Sequence, residues 1–370
     1  MRILHFYKNA LPETFGGVEQ VIDQIARGTT LLGVSNTILA LSDHPTKLPT
    51  PMNGYKLVTV KRDFEFASSG FSRKSLNIFR KLAADADLIH YHFPWPFADL
   101  VHQWVKPKNP TIITYHSDIV RQKLLLKLYR PLKQSFLRSV DQIIATSPNY
   151  LHTSGVLQSF SKKTSVIPIG LDKESYVKPD PTQIQLYKKY FGERFFLFIG
   201  AFRYYKGLPF LIEASKITPY PIVIAGSGPM EKELRLLAIK NQLKNIFFIG
   251  HVSEEDKSAL LAACFSIIFP SNLRSEAFGV SLLEGAMFGK PLISCEIGTG
   301  TTYINIDQLT GLVVPPSDPP ALAAAMTWLW THPNQAAEMG KKAQARYEEL
   351  FTAKQMAQSY YELYKKLLAR

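Results

Sequence analysis

Short apolar runs alternate with helix-like segments along most of the chain, and this alternation constrains the fold more than any other feature. Arg2–Tyr7, Asn36–Leu41, Leu57–Val60, Leu88–Tyr91, Thr111–Tyr115, Gln142–Thr146 and Ser165–Ile169 read as strands. A second series follows at Phe195–Gly200, Ile222–Ala225, Ile246–Ile249, Phe265–Phe269, Pro291–Ser294 and Gly311–Val314. Helical patterns lie between them at Val18–Leu32, Leu208–Lys216, Glu231–Asn241, Glu254–Cys264 and Leu282–Phe288. Strands fully buried between helices read as near-continuous apolar runs, so the pattern predicts an α/β chain built on parallel sheets.

The two series are separated by a stretch with two prolines and many charges. The spacing predicts an N-terminal domain over 1–170, a linker over 171–192 and a second domain from 193. Pro315, Pro316, Pro319 and Pro320 then precede a mainly helical tail. Two open parallel sheets facing across a cleft bind ligands outside the carboxyl ends of their strands, so candidate residues should follow strands directly.

Five segments meet that condition. Gly16-Gly17 follows the first strand and enters a helix, which suits close approach to an anion or an ordinary turn. His90 and His92 stand two apart on one strand face. No Asp, Glu or Cys partner lies at familiar ligand spacing, so no metal site is expected. His116-Ser117-Asp118 follows the next strand, and His116 suits either hydrogen bonding in a cleft or a structural role. Gly200 opens a loop carrying Arg203 and Lys206, two cations that suit a diphosphate or an exposed surface. Glu276 and Glu284 lie eight residues apart around a glycine-containing turn. Glu276 should precede a helix and Glu284 should lie on it, while the N–H groups of Phe278, Gly279 and Val280 fall at the helix start. Carboxylates accept two hydrogen bonds, which suits sugar hydroxyls. An exposed Glu276 before the helix with Glu284 on the helix surface is the alternative.

With these residues assembled, the chain resembles the retaining glycosyltransferases of family 4, which have the GT-B fold of two Rossmann-like domains. The resemblance runs nearly end to end. It rests on Gly16-Gly17-Val18-Glu19, Val166 to Gly170, Phe198 to Gly200 with Arg203 and Lys206, Ala225 to Pro229, the Glu276-to-Glu284 motif, and Gly311 to Asp318. It implies that 193–352 binds a nucleotide-sugar donor and that a terminal helix at about 353–370 packs back on the first domain. Arg203 and Lys206 would neutralise the diphosphate, aided by the amides of Gly16 and Gly17, with Gly200 beside them. Glu284 would hold the ribose. Glu276 and the amides of Phe278, Gly279 and Val280 would orient the transferred sugar, with His116 beside it. The catalytic set is then His116, Arg203, Lys206 and Glu276, with no metal or other cofactor.

Gly16 to Gln20, Tyr91 to Pro96, Thr114 to Asp118, Lys127 to Pro131 and Ile297 to Thr302 further resemble bacterial O-antigen mannosyltransferases. These use GDP-mannose and extend a lipid-linked glycan at the cytoplasmic membrane face. One stretch departs from the family. Gly298-Thr299-Gly300-Thr301-Thr302 stands where many members have two glycines followed by Glu. The alternatives are a UDP-sugar donor, or a non-enzymatic basic protein that binds nucleotides or nucleic acid.

Composition narrows these choices. With 46% hydrophobic and 20% charged residues, a packed core is expected and wholesale disorder is excluded. Two cysteines, Cys264 and Cys295, make no disulfide scaffold, and no apolar run approaches the ~20 residues of a membrane span. The N-terminus has no signal-peptide pattern, so a cytoplasmic protein is expected. The net charge of +13 is concentrated in residues 1–171, which carry 21 basic against 11 acidic residues. Arg121–Ser139 holds six basic residues and no acidic one. Its leucines with Phe136 suggest an apolar stripe, Pro131 a kink or division, and the whole a peripheral face for anionic membrane. No nucleic-acid motif accompanies the charge.

Overall fold

The protein is described from a computed structural model covering residues 1–14, 16–67, 69–119 and 123–369, without the side chains of Lys123 and Leu124. Phe15 of the first glycine loop, Arg121 and Gln122 of the basic segment, and Arg370 of the terminal helix lie outside the described residues, as do Ser68 and Val120. Two compact units are present. One comprises Met1–Leu171 with Ala353–Arg370, and the other Asp172–Thr352.

The first unit is an eight-stranded sheet. Its order is Thr164–Val166, Gln142–Ala145, Thr111–Tyr115, Leu88–Phe93, Arg2–Phe6, Ser35–Ser42, Lys56–Lys61 and Thr50–Pro51. All neighbours are parallel except the last pair. Leu88–Phe93 is buried along its whole length, as a central strand covered on both faces must be. The sequence reading ended the last strand at Ile169, but pairing stops at Val166, ahead of Pro168, which has no N–H to donate. It also lacked the short hairpin Phe64–Phe66 with Ser69–Phe71, whose first strand is exposed and carries no core signal.

The second unit is a six-stranded parallel sheet. Its order is Ile246–Gly250, Ile222–Ala225, Phe196–Ile199, Ser266–Phe269, Leu292–Cys295 and Gly311–Val314. The strand order reverses between Phe196–Ile199 and Ser266–Phe269, and their carboxyl ends form the crevice where doubly wound sheets bind ligands.

Residues 172–192, read as a linker, belong to this second unit. Pro181–Phe191 is a helix, with Asp180 capping the Thr182 N–H and Pro181 in its first turn. Gln183 and Tyr187 both donate to Asp256, and Phe191 packs on Phe195 and Phe247. The prolines and charges thus mark a helix start and its wet face.

The last helix, Ala353–Leu368, returns to the first unit. It lies against Gly17–Thr30, where a Cβ on Gly28 would overlap that of Ala357. The Tyr364 hydroxyl meets His90 at 2.9 Å and Tyr360 meets Thr114 at 2.7 Å, tying the helix to the middle of the sheet.

Candidate functional site

Two loops follow the strands at the second sheet's reversal point. The first runs from Gly200 through the 3-10 turn Tyr204–Lys206, and the second from Pro270 to Gly279. Gly207 joins them. Its φ is +67° and a Cβ there would overlap the Pro270 carbonyl oxygen, so only glycine allows this approach. The Asn272 N–H donates to the Tyr205 carbonyl at 3.0 Å, closing the junction.

This junction brings Lys206 and Glu276 together. The ammonium lies 2.5 Å from Glu276 Oε2, and each side chain keeps only a little solvent exposure, at 11% and 12%. The Lys206 charge also lies 4.6 Å from the ring centre of Phe269. Ser271 donates to the same carboxylate oxygen at 3.3 Å. Lys206 therefore holds Glu276 while its remaining N–H donors stay open to an anion, since an ammonium has three. Arg203, at the N-cap of the turn, is exposed and makes no ion pair among the described residues. An ideal Cβ on Gly200 would come within 4 Å of both Lys206 Nζ and Ser281 Oγ, which places Gly200 in the same cluster.

The second loop feeds the helix Val280–Met287, with Gly279 as N-cap at φ +100°. Phe278 and Ala277 are buried beneath it. The first N–H groups of this helix have no partner within it, which leaves donors at the crevice. Glu284 is on the helix but buried, at 4% exposure, so the alternative of a helix-surface glutamate is overturned. Its Oε1 accepts from the Tyr176 hydroxyl at 2.8 Å and lies 3.3 Å from Lys257 Nζ. Burial alone would lower the Lys257 pKa, but Glu284 and Glu254 outweigh it and hold the ammonium above its usual value. Tyr176 and Lys257 were not foreseen, because neither is close to Glu284 in sequence.

The departing stretch Gly298 to Thr302 has its own supports. Arg274 donates to the Gly298 carbonyl at 2.9 Å, and the Gly298 N–H donates to Glu296 at 2.8 Å. The Gly300 N–H donates to the Ala277 carbonyl at 2.8 Å, so this loop is tied directly to the Glu276 loop.

In the first unit, Gly16 is the N-cap of Gly17–Thr30. The buried Glu19 carboxylate lies where a Gly16 side chain would go. His116 follows Thr111–Tyr115, is 6% exposed, and its Nε2 lies 3.1 Å from His92 Nδ1. His92 Nε2 lies 3.2 Å from His5 Nδ1, and His5 Nε2 lies 3.2 Å from Asn36 Oδ1. His5, absent from the sequence-based candidates, packs with His90 and His92 so that one ligand atom from each falls within 4.8 Å. Both nitrogens of each of the three rings already have hydrogen-bond partners, His90 through Thr114 and Tyr364. The signal in the sequence was a histidine or asparagine set among apolar residues of the central strands, with His90 and His92 two apart on one face.

The basic segment is a single helix, Lys123–Ser139, which Pro131 does not divide. Pro131 and Lys127 are both exposed, so the carbonyl left unpaired by the proline meets water. The expected apolar stripe is corrected, because Phe136 and Leu137 are core residues while Leu125 and Leu128 face solvent. Lys133 is also buried, which lowers its pKa despite the nearby Asp118 and Asp99, and among the described residues the basic surface is left to Lys127, Arg130 and Arg138. Among the described residues, no helix is long and apolar enough to cross a membrane.

Residues 15–175 match the family described as Glycosyltransferase Family 4, and residues 180–346 match Glycosyl transferases group 1. The chain is 54% identical to D-rhamnosyltransferase WbpZ of Pseudomonas aeruginosa over 95% of its own length and 93% of that protein's. It is 46% identical to O-antigen chain mannosyltransferase C of Escherichia coli over 100% and 99% of the two lengths. Among solved structures, sucrose-phosphate synthase from Thermosynechococcus elongatus superposes with a TM-score of 0.82 at 20% identity, covering 100% of this chain and 99% of that one. Anabaena HepE in complex with UDP and glucose does so at 0.81 and 18%, covering 99% and 100%. These last two likenesses establish the GT-B fold.

Proposed function

Because this chain belongs to the glycosyltransferases of family 4, we propose that it moves a hexose from a nucleoside diphosphate sugar to a lipid-linked glycan in O-antigen synthesis. The transfer retains anomeric configuration and needs no metal. The observation that carries this reading is the Lys206–Glu276 pair at the reversal point of the second sheet, on the same loops and helix that bear Arg203 and Glu284. Arg203 and Lys206 bind the diphosphate and take up the charge that develops on it as it leaves. Glu284, held by Tyr176 and Lys257, accepts from the ribose hydroxyls. Glu276 and the N–H groups of Phe278, Gly279 and Val280 orient the sugar, with Gly200 allowing close approach. From the first unit we assign His116 to a hydroxyl and the amides of Gly16 and Gly17 to an anionic group.

For the donor we propose GDP-mannose or its 6-deoxy counterpart. The two long-range relatives act on D-mannose and D-rhamnose, which differ by the hydroxyl on C6, and the higher identity is to the rhamnosyltransferase. A wall that hydrogen-bonds the C6 hydroxyl rejects the deoxy sugar by about 10⁴–10⁵, whereas an apolar wall separates the two by only about 10². Binding of GDP-mannose, GDP-D-rhamnose and UDP-glucose in the presence of chelator tests both points. Tight binding of a GDP-sugar alone is expected. Preference for UDP-glucose, or binding abolished by chelator, overturns the assignment.

We further assign the exposed Leu125, Lys127, Leu128, Arg130 and Arg138 to an anionic membrane surface, on the inner face of the cell membrane. Each basic residue near such a surface contributes about 1 kcal/mol. Reversing Lys127, Arg130 and Arg138 together should therefore lower partitioning onto anionic vesicles by about 10², as read by sedimentation. Equal binding to neutral and anionic vesicles would sink the idea.

A further inference from the structure

Three histidines of the first unit, His5, His90 and His92, lie at that sheet's own reversal point. Arg2–Phe6 is the strand about which the order turns, with Ser35–Ser42 on one side and Leu88–Phe93 on the other. His5 is in register with His90, Ile3 with Asn36, and His92 with Thr114. Side chains two apart on a strand, and register partners on parallel neighbours, share a face. The topology thus sets Asn36, His5, His90, His92 and Thr114 on one face, and His116 continues two residues beyond Thr114.

The polarity of this row is fixed at its far end. The Asn36 side-chain Nδ2 donates to the Ala26 carbonyl at 2.9 Å, an oxygen that can only accept. It also lies 2.9 Å from Thr29 Oγ1 and 3.0 Å from Thr30 Oγ1. Both hydroxyl protons are already committed, Thr29 to the Ile25 carbonyl and Thr30 to that of Ala26, so both oxygens present lone pairs to the amide. Asn36 Oδ1 must then face His5 as an acceptor, and His5 Nε2 carries the proton. His5 Nδ1 is left as a lone pair, which requires the proton between His5 and His92 to sit on His92 Nε2. His92 Nδ1 becomes an acceptor in turn, and His116 Nε2 donates to it. Each ring must be neutral for the chain to run. Burial ensures this, lowering His5 to about 4, His116 to about 3 and His92 well below its usual range. No described residue hydrogen-bonds His116 Nδ1.

We propose that Asn36, His5 and His92 are positioning residues, a one-directional hydrogen-bond chain that locks His116 as the Nε2–H tautomer. His116 Nδ1 is thereby presented as an acceptor. The ligand group it meets is a hydroxyl, since a lone pair repels a phosphate oxygen. The tautomer follows from this chain's own contacts, while the sugar hydroxyl as its partner rests on the glycosyltransferase reading.

Long-range 1H–15N correlation spectra of the full chain labelled with [15N]histidine test the tautomer without any sugar. His5, His92 and His116 are expected in the neutral Nε2–H form at pH 7. A neutral Nδ1–H signal or an imidazolium at His116 would overturn the chain. So would stoichiometric zinc retained by the purified protein and lost in His92→Phe, because a metal would occupy the same lone pairs. His92→Phe keeps a ring but cuts the row. His116 should then sample both tautomers, and the donor KM should rise as the Nε2–H fraction falls, by about twofold at equal populations. His92→Gln can accept from His116 through Oε1 and donate to His5 through Nε2, so it should restore both the Nε2–H signal and the KM. A folded His92→Phe with an unchanged His116 signal refutes the lock. A shifted signal with unchanged KM refutes the substrate hydroxyl alone. If His92→Phe does not fold, the wild-type spectrum still decides the tautomer. Failure of the wild-type chain to transfer any sugar, with the tautomers as stated, counts against the enzymatic reading and not against the chain.

Discussion

Replacing Lys206 with alanine should lower kcat by about 10²–10³, the usual loss when one preorganised charge-stabilising donor is removed from a transition state. Lys206 suits this role because it is nearly enclosed, so its charge is less screened than that of the exposed Arg203. For the same reason Arg203→Ala should cost less. The fold should survive. The loop is held by Gly207 against Pro270 and by the backbone bond from Asn272 to Tyr205, neither of which needs the ammonium. Glu276 would lose its cation but keep Ser271 and some contact with water. Steady-state kinetics with an unchanged near-ultraviolet circular dichroism spectrum would check this. A kcat within threefold of the parent would remove Lys206 from the chemistry. Glu276→Ala should be similarly damaging, because it frees Lys206 from the position above Phe269 in which the pair now holds it.

The first unit should unfold at mildly acid pH while the second unit persists. Five of its histidines, His5, His90, His92, His102 and His116, are buried. Burial, which disfavours the charged ring, lowers all five. His5 and His102 fall to about 4, His116 to about 3, and His90 and His92 well below the usual value. In the unfolded chain each would titrate near 6.5, so below that pH the unfolded state binds more protons. The stability each contributes is complete above about pH 6.5 and is lost as pH falls towards the folded value. One unit of such displacement is about 1.4 kcal/mol, so two units of acidification cost roughly 3 kcal/mol for each of His5, His102 and His116, and His90 and His92 act in the same direction. Asp99 and Asp23, whose carboxyls burial raises, act in the opposite sense and offset part of this. Five against two still exceeds much of the ~5–15 kcal/mol that holds a domain together. Calorimetric scans from pH 7 to 4.5 should show one transition moving steeply downwards and another moving little, since His251 and His332 of the second unit are not buried. Two transitions that shift in parallel would contradict this account.

Most strands and the two-domain plan were legible because they depend on short-range information. An apolar run of four to eight residues, a turn glycine, or a proline at a helix start reads the same wherever it sits. Glu276 ahead of its helix and Glu284 within it were also readable, since helix period and the Gly279 turn place them locally. The linker was misread for the complementary reason. Pro181, the charged residues and the half-buried Tyr187 are ambiguous until Asp256 and Phe247 arrive from elsewhere in the chain. Lys133 looked like a surface charge among other surface charges, and only the packing of its helix buries it.

By itself the sequence determined the order of elements, the loops that bear charge, and the family. The tertiary structure decided which of those groups meet. Lys206 found Glu276, Tyr176 found Glu284, and Asn36 found His116 through two further histidines, because strand order and register juxtapose residues that no local period relates. A periodicity can state which face a side chain takes. Only the crossover connections between parallel strands fix what stands opposite it.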